Sequence, residues 1–138
     1  MASILIVDDN QRMRDAVAWL FRREGHEVSV ADNGQTALAL LQGAQLERGA
    51  QLDVVVTDIH MPETDGLELI MECRRLWPDL PVIAMSGGSV IPSCEILEDA
   101  RLLGAVETLE KPFEFSVLRA AVERLVGGSS GPGHEPLG

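Results

Sequence analysis

Five polar residues close short apolar runs in this chain. Asp8 and Asp9 close "SILIVDD", Asp58 closes "LDVVVTD", Ser86 closes "PVIAMS" and Lys111 closes "AVETLEK". If the runs are neighbouring strands, three carboxylates, a hydroxyl and an ammonium converge on one edge. Like charges that close repel by about 2 to 4 kcal/mol per pair at an effective dielectric near 20. Stability therefore gives no reason to assemble them. A bound cation resolves the conflict, and hard oxygen donors in an acidic recess with room for water suit Mg2+. Such an ion commonly completes its shell with phosphate oxygens. A carboxylate beside it can attack phosphorus to form an acyl phosphate, while metal and ammonium charges clamp the transferring group. Asp58 is the candidate nucleophile, because it stands alone at a strand end opposite the Asp8/Asp9 pair.

Taken singly, each residue has a plainer role. Asp9 or Asn10 can cap a helix, Ser86 can begin a turn, and Asp65 with Gly66 reads as a turn leading into a helix. Only the set points to chemistry.

Positioning that set requires a particular frame. Apolar runs alternate with amphipathic segments: "SILIVDD", then the helix "NQRMRDAVAWLFRREG"; "HEVSVA", then "NGQTALALLQGA"; "LDVVVTD", then "LELIMECRRLW"; "PVIAMS", then "CEILEDARLLG"; "AVETLEK", then "FSVLRAAVERLV". In the first helix Met13, Val17, Leu20 and Phe21 share a face, Asn10 is the expected N-cap and Gly25 the expected stop. Trp19 falls off that stripe, so its ring is either partly exposed or laid along the helix flank. Strict alternation predicts a parallel sheet with helices on both faces. Right-handed crossovers narrow it to a doubly wound α/β fold. Three of the five runs are continuously apolar, as strands buried on both faces are. In such sheets the site lies beyond the carboxyl ends of the strands.

Composition narrows the function. The net charge of −11 repels phosphate backbones, which argues against direct nucleic-acid binding. No apolar stretch is long enough to span a membrane, and "MASILIVDDN" lacks the basic region of a signal peptide. A cytoplasmic protein of one domain is expected. Cys73 and Cys94 are too few and too far apart for a disulfide framework or a zinc site, and read as buried thiols. His26, His60 and His134 show no metal spacing.

"VDDN", "VVVTDIHMPETDG", "AMSG" and "LEKPF", in this order and spacing, resemble the receiver domain of two-component response regulators, including its small single-domain type. The likeness runs from Ser3 to about Val126. It implies a flavodoxin-like, five-stranded parallel sheet of order 2-1-3-4-5 over residues 1–126, while the Gly/Ser/Pro-rich composition of 127–138 reads as a disordered tail or the start of a linker. It further implies that Asp58 accepts a phosphoryl group from a partner's phosphohistidine, on a sensor histidine kinase or a histidine phosphotransfer protein. Mg2+, for which Mn2+ can substitute, would be held by Asp9 and Asp58, by Asp8 directly or through water, and by the backbone carbonyl of His60. The His60 imidazole would gate water rather than carry phosphate. Ser86 would bond a phosphoryl oxygen and act as a switch. Lys111 would pair first with Asp58 and then with the phosphoryl group, aimed by a cis bond to Pro112. The partner's helix bundle would dock on Met13, Ala16 and Phe113. The domain would catalyse only its own phosphorylation and dephosphorylation, and pass the signal to an output domain or a downstream protein.

Lys111 is the only lysine, beside ten arginines. Arginine serves wherever any cation will do, as at Arg12, Arg22, Arg74 and Arg119. At 111 the family requires a compact charge on a slim stem. Two positions depart from the family pattern. Thr108 stands at the switch position three before the lysine, where an aromatic is usual, and the chain has no tyrosine. Gly87 and Gly88 follow Ser86, which leaves the loop open to water and predicts a short-lived phosphorylated form. Two other readings compete. A haloacid-dehalogenase-like phosphohydrolase wants Asp-x-Asp, but Asn10 is second after Asp8, and there is no length for a cap insertion. A pseudo-receiver used only for interaction would not keep all five site residues.

Overall fold

The three continuously apolar runs form the middle of the sheet, and the two weaker ones form its edges. The computed structural model describes residues 2–46, 52–59, 66–86, 100–102, 104–111 and 113–130. Five parallel strands, β1 (Ser3–Val7), β2 (Glu27–Ala31), β3 (Val54–Asp58), β4 (Val82–Ser86) and β5 (Glu107–Glu110), lie in the order β2-β1-β3-β4-β5. β3 and β4 are buried along their whole length. β2 alternates exposed with half-buried positions up to Ala31, and β5 is at most half-buried. An edge strand lacks a neighbour on one side, so it needs less apolar surface.

Alternation of side chains along the strands divides the core in two. Ile4, Ile6, Val54, Val56, Ile83 and Met85 pack with Val17 and Phe21 of α1 (Gln11–Arg23) and with Leu118, Ala121 and Val122 of α4 (Phe115–Ser130). Leu5, Val7, Val55, Val82 and Ala84 pack on the other face with Ala37 and Leu41 of α2 (Gly34–Leu46) and with Leu69, Ile70 and Cys73 of α3 (Gly66–Leu76). Of the helix expected over 94–104, residues 100–102 are described and helical, while Gly104, with φ +138°, lies in a turn. Among the described residues no helix is long and apolar enough to cross a membrane.

The helix signals in the sequence are realised at atomic detail. Asn10 caps α1 by accepting a hydrogen bond from the Met13 amide at 3.2 Å. Gly25, with φ +94°, takes the left-handed conformation that ends the helix. Asn33 does for α2 what Asn10 does for α1, accepting from the Thr36 amide at 2.8 Å. On α1 Val17 and Phe21 are buried and Met13 and Leu20 half-buried, while Ala18 is also covered. Trp19 is 58% exposed, with the Arg23 guanidinium 5.2 Å from its ring centroid. The helix α4 continues to Ser130, four residues past the boundary placed at Val126.

Of the two thiols expected to be buried, Cys73 is buried and Cys94 lies outside the described residues. Burial, reinforced by the nearby Glu72 charge, pushes the Cys73 pKa up to about 12. In a Cys94→Ser background the native protein should react with a thiol reagent at neutral pH only on the timescale of unfolding, whereas the denatured chain should react at once. Fast native labelling would mean that α3 opens readily. Because the folded pKa lies above the unfolded value near 8.5, this thiol's stabilising contribution is full below about pH 8.5 and is lost as pH rises toward about 12.

Candidate functional site

Strand register brings the polar strand ends together. Val7 is paired with Thr57, Asp58 with Met85 and Ser86 with Glu110. Asp8 therefore leaves β1 beside Asp58, and Lys111 follows β5 beside Ser86. Backbone bonds extend the ladder past the strand ends: Asp8 N–H to the Ala31 carbonyl at 3.1 Å, Ile59 N–H to Met85 at 2.9 Å, and Lys111 N–H to Ser86 at 2.7 Å.

Asp8, Asp58 and Ser86 are buried, while Asp9 is exposed. One carboxylate oxygen from each of Asp8, Asp9 and Asp58 lies within 4.8 Å of the other two. Lys111 Nζ donates to Asp8 Oδ2 at 3.0 Å and to Asp58 Oδ2 at 3.1 Å. The other Asp8 oxygen accepts from the Asn10 amide at 2.9 Å. Thr57, buried behind the site, donates its hydroxyl to the Asp58 carbonyl at 3.0 Å.

Burial by itself would lower the Lys111 pKa, but the Asp58 charge, the hydrogen bond and charge of Asp8, and the Asp58 hydrogen bond outweigh it. The ammonium is held above the ordinary lysine value. Its stabilising contribution is complete below about pH 10.4 and is lost only as pH rises through the raised folded value. The lysine is therefore charged throughout the neutral range.

The donor set fits a hard divalent cation. It consists of carboxylates alone, with net charge left after Lys111 is counted, and Asp9 opens to solvent. Among the described residues it is the one cluster of this kind. His26 is not a ligand, because its Nδ1 accepts from the Ala2 amide at 3.0 Å.

Glycine makes the close packing of this edge possible. The Gly66 amide donates to the Ile59 carbonyl at 2.9 Å. A β-carbon at Gly66 would meet the Asp58 carbonyl oxygen, and would lie 2.6 Å from the Ile59 α-carbon. Only glycine lets α3 start this close to the end of β3.

The structure thus gathers Asp8, Asp9, Asp58, Ser86 and Lys111 at one edge. Thr108 on β5, half-buried, pairs with Ala84 of β4. Its neighbour Leu109 packs against the α1/α4 layer, so Thr108 faces the other side of the sheet. Met13 and Phe113 pack partly into the α1/α4 layer, and Ala16 is exposed on α1. His60 and Pro112, and with them the carbonyl ligand and the cis bond, lie outside the described residues. Sequence reading missed Thr57 and Arg14. The threonine looked like one more β-former, and nothing in the pattern distinguishes Arg14 from Arg12.

The chain matches the response regulator receiver domain family over residues 4–123. It is 33% identical over 123 residues to the transcriptional regulatory protein FixJ of Bradyrhizobium diazoefficiens, covering 89% of this chain and 56% of that protein. A response regulator receiver domain protein from Clostridium thermocellum superposes with a TM-score of 0.82 at 26% identity, over 94% of this chain and 97% of the other. The response regulator TrrA of Thermotoga maritima, in complex with Mg2+–BeF, is 30% identical with a TM-score of 0.76, over 91% of this chain and 99% of the other. The chain spans between 26 and 57% of the length of the regulatory proteins first matched. By sequence and by fold it belongs to the response regulator receiver domains, the phosphoacceptor modules of two-component signalling.

Proposed function

We propose that Asp58 is the phosphoacceptor and that Lys111, Ser86, Asp8 and Asp9 serve its chemistry. The observation that carries this reading is the Lys111 ammonium bonded at once to Asp8 and Asp58 within a cluster of three carboxylates. An Asp58 carboxylate oxygen attacks the phosphorus of a partner's phosphohistidine. A P–O bond forms, the P–N bond breaks, and its electron pair returns to the imidazole. Lys111, paired with the Asp58 carboxylate beforehand, then meets the phosphoryl oxygen, and the Ser86 hydroxyl donates to another.

Asp9 and Asp58 would hold Mg2+, or Mn2+ in its place, together with the His60 carbonyl. Asp8 would act directly or through water, one of its oxygens lying within 4.8 Å of a carboxylate oxygen of each of the other two. The ion supplies positive charge that offsets the carboxylates and the transferring phosphoryl group. The Mg2+–BeF complex of TrrA supports the same assignment here.

The donor would be a sensor histidine kinase or a histidine phosphotransfer protein in the cytoplasm, docked over Met13, Ala16 and Phe113. A phosphorylated Asp58 would then alter a surface read by an output domain or a downstream protein. The receiver family is not a classical enzyme family, and the chemistry here is self-phosphorylation and its reversal. With Thr108 at the usual aromatic position, the switch would run through Ser86 without a swinging ring.

Acetyl phosphate tests this reading. With Mg2+ the wild-type chain should gain one phosphoryl group by mass, EDTA should prevent it, and Asp58→Asn should abolish it. After the donor is removed, the label should decay well within hours. A folded wild type that takes no label would indicate an interaction module. Full labelling of Asp58→Asn would move the acceptor elsewhere.

A further inference from the structure

Arg14 is set apart from the other arginine in the first turn of α1. Arg12 is exposed, whereas the Arg14 side chain is 15% exposed and turns back toward the end of β1. Its Nη1 donates to the backbone carbonyl of Asp8 at 3.3 Å, and its Nε to Asp15 Oδ1 at 3.4 Å. Arg14 lines a recess of about 210 Å3 with Val30, Ala31, Asp32 and Thr36. The Asp8 carbonyl belongs to the peptide unit that joins Asp8 to Asp9.

Asp8 and Asn10, on either side of Asp9, are tied by other bonds. Asp8 N–H bonds to Ala31, the Asp8 carboxylate holds Asn10 and Lys111, and Asn10 caps α1. Asp9 is exposed, so the direction of its carboxylate depends on the orientation of the preceding peptide plane.

We propose that Arg14 is a positioning residue that fixes the Asp8–Asp9 peptide so that Asp9 reaches the acidic cluster, and that it thereby sets the affinity for Mg2+. The proposal rests on reading Asp8, Asp9 and Asp58 as the Mg2+ site. Charge and position predict opposite signs. If Arg14 acted only as a nearby cation, its removal would relieve repulsion of Mg2+ and tighten binding. If it positions Asp9, its removal weakens binding, as loss of an outer partner of a metal ligand does by about tenfold or more.

The experiment titrates Mg2+ calorimetrically into the unphosphorylated full chain, for wild type, Arg14→Met, Arg14→Lys and Arg12→Met, with thermal melts to establish folding. Arg14→Met should weaken the dissociation constant about tenfold. Arg14→Lys, which keeps a donor, should recover part of the loss, and Arg12→Met, which removes the same charge without the carbonyl contact, should not weaken binding. In acetyl phosphate labelling, Arg14→Met should raise the half-saturating Mg2+ concentration and leave the rate at saturating Mg2+ close to wild type. An Arg14→Met protein that melts like wild type with unchanged or tighter Mg2+ binding overturns the proposal. Should Arg14→Met not fold, Arg14→Gln is titrated in its place and judged by the same outcomes. Wild type that binds no Mg2+ at all takes down the reading of the site and this proposal together.

Discussion

Gly66→Ala should destabilise the protein by about 3 kcal/mol, lower the melting temperature by roughly 10 °C, and slow phosphorylation of whatever remains folded. The added methyl meets backbone rather than the end of a flexible side chain. It would press on the Asp58 carbonyl oxygen and stand 2.6 Å from the Ile59 α-carbon. No rotamer change relieves that, so either α3 or the end of β3 must move. Helix propensity favours alanine over glycine by about 1 kcal/mol, too little to offset the overlap. The displaced atoms belong to Asp58 and its neighbour, and misplacing a reacting group by about 1 Å can cost on the order of a hundredfold in rate. Urea melts and acetyl phosphate labelling measure the two effects. Gly43 is the internal control: a β-carbon there meets nothing within 4 Å, so Gly43→Ala should be neutral or stabilise α2 by up to about 1 kcal/mol. Gly66→Ala melting and labelling like wild type would show that α3 does not start against the end of β3.

Lys111→Met should lower stability in Mg2+-free buffer at neutral pH by about 3 kcal/mol, the scale for stripping one partner from a buried ion pair. Asp8, 0% exposed, would keep only the Asn10 amide among the described residues, with the Asp58 and Asp9 charges beside it. Mg2+ should restore much of the loss, since a ligand that binds only the folded state stabilises by RT ln(1 + [L]/Kd). The Mg2+-induced rise in melting temperature should therefore be larger in the variant than in wild type. Lys111→Arg separates charge from shape: the cation remains and the fold should hold, but a planar guanidinium does not sit between Asp8 Oδ2 and Asp58 Oδ2 as a compact ammonium does. Its phosphorylation response should be impaired. If Lys111→Arg labels and signals as wild type does, position 111 needs only a positive charge.

Much of the frame was legible because it depends on local and periodic features. Runs such as "VVVT" at β3 announce a strand covered on both faces. Asn10 and Gly25 mark the ends of α1 through chemistry confined to a few residues. The end of α4 was less legible. Gly127 and Gly128 read as the start of a tail, yet the helical hydrogen-bond ladder runs through to Ser130. Glycine disfavours a helix by only about 1 kcal/mol per residue, which an established helix can absorb. Trp19 was ambiguous for a related reason. Its place relative to the apolar stripe leaves either outcome open, and only the packed helix shows it lying outward beside Arg23.

By itself the sequence determined the α/β frame and the identities of the groups at its carboxyl edge, because strand ends and side-chain types are properties of short stretches of chain. Tertiary structure alone decided how those groups meet. The bonds of Lys111 to Asp8 and Asp58 join residues 103 and 53 positions apart. The need for glycine at 66 comes from the backbone at the end of β3, and Arg14 differs from Arg12 only in the side of α1 from which it can reach the Asp8 carbonyl. Contacts of that kind are fixed by strand register and helix packing, which no local pattern encodes.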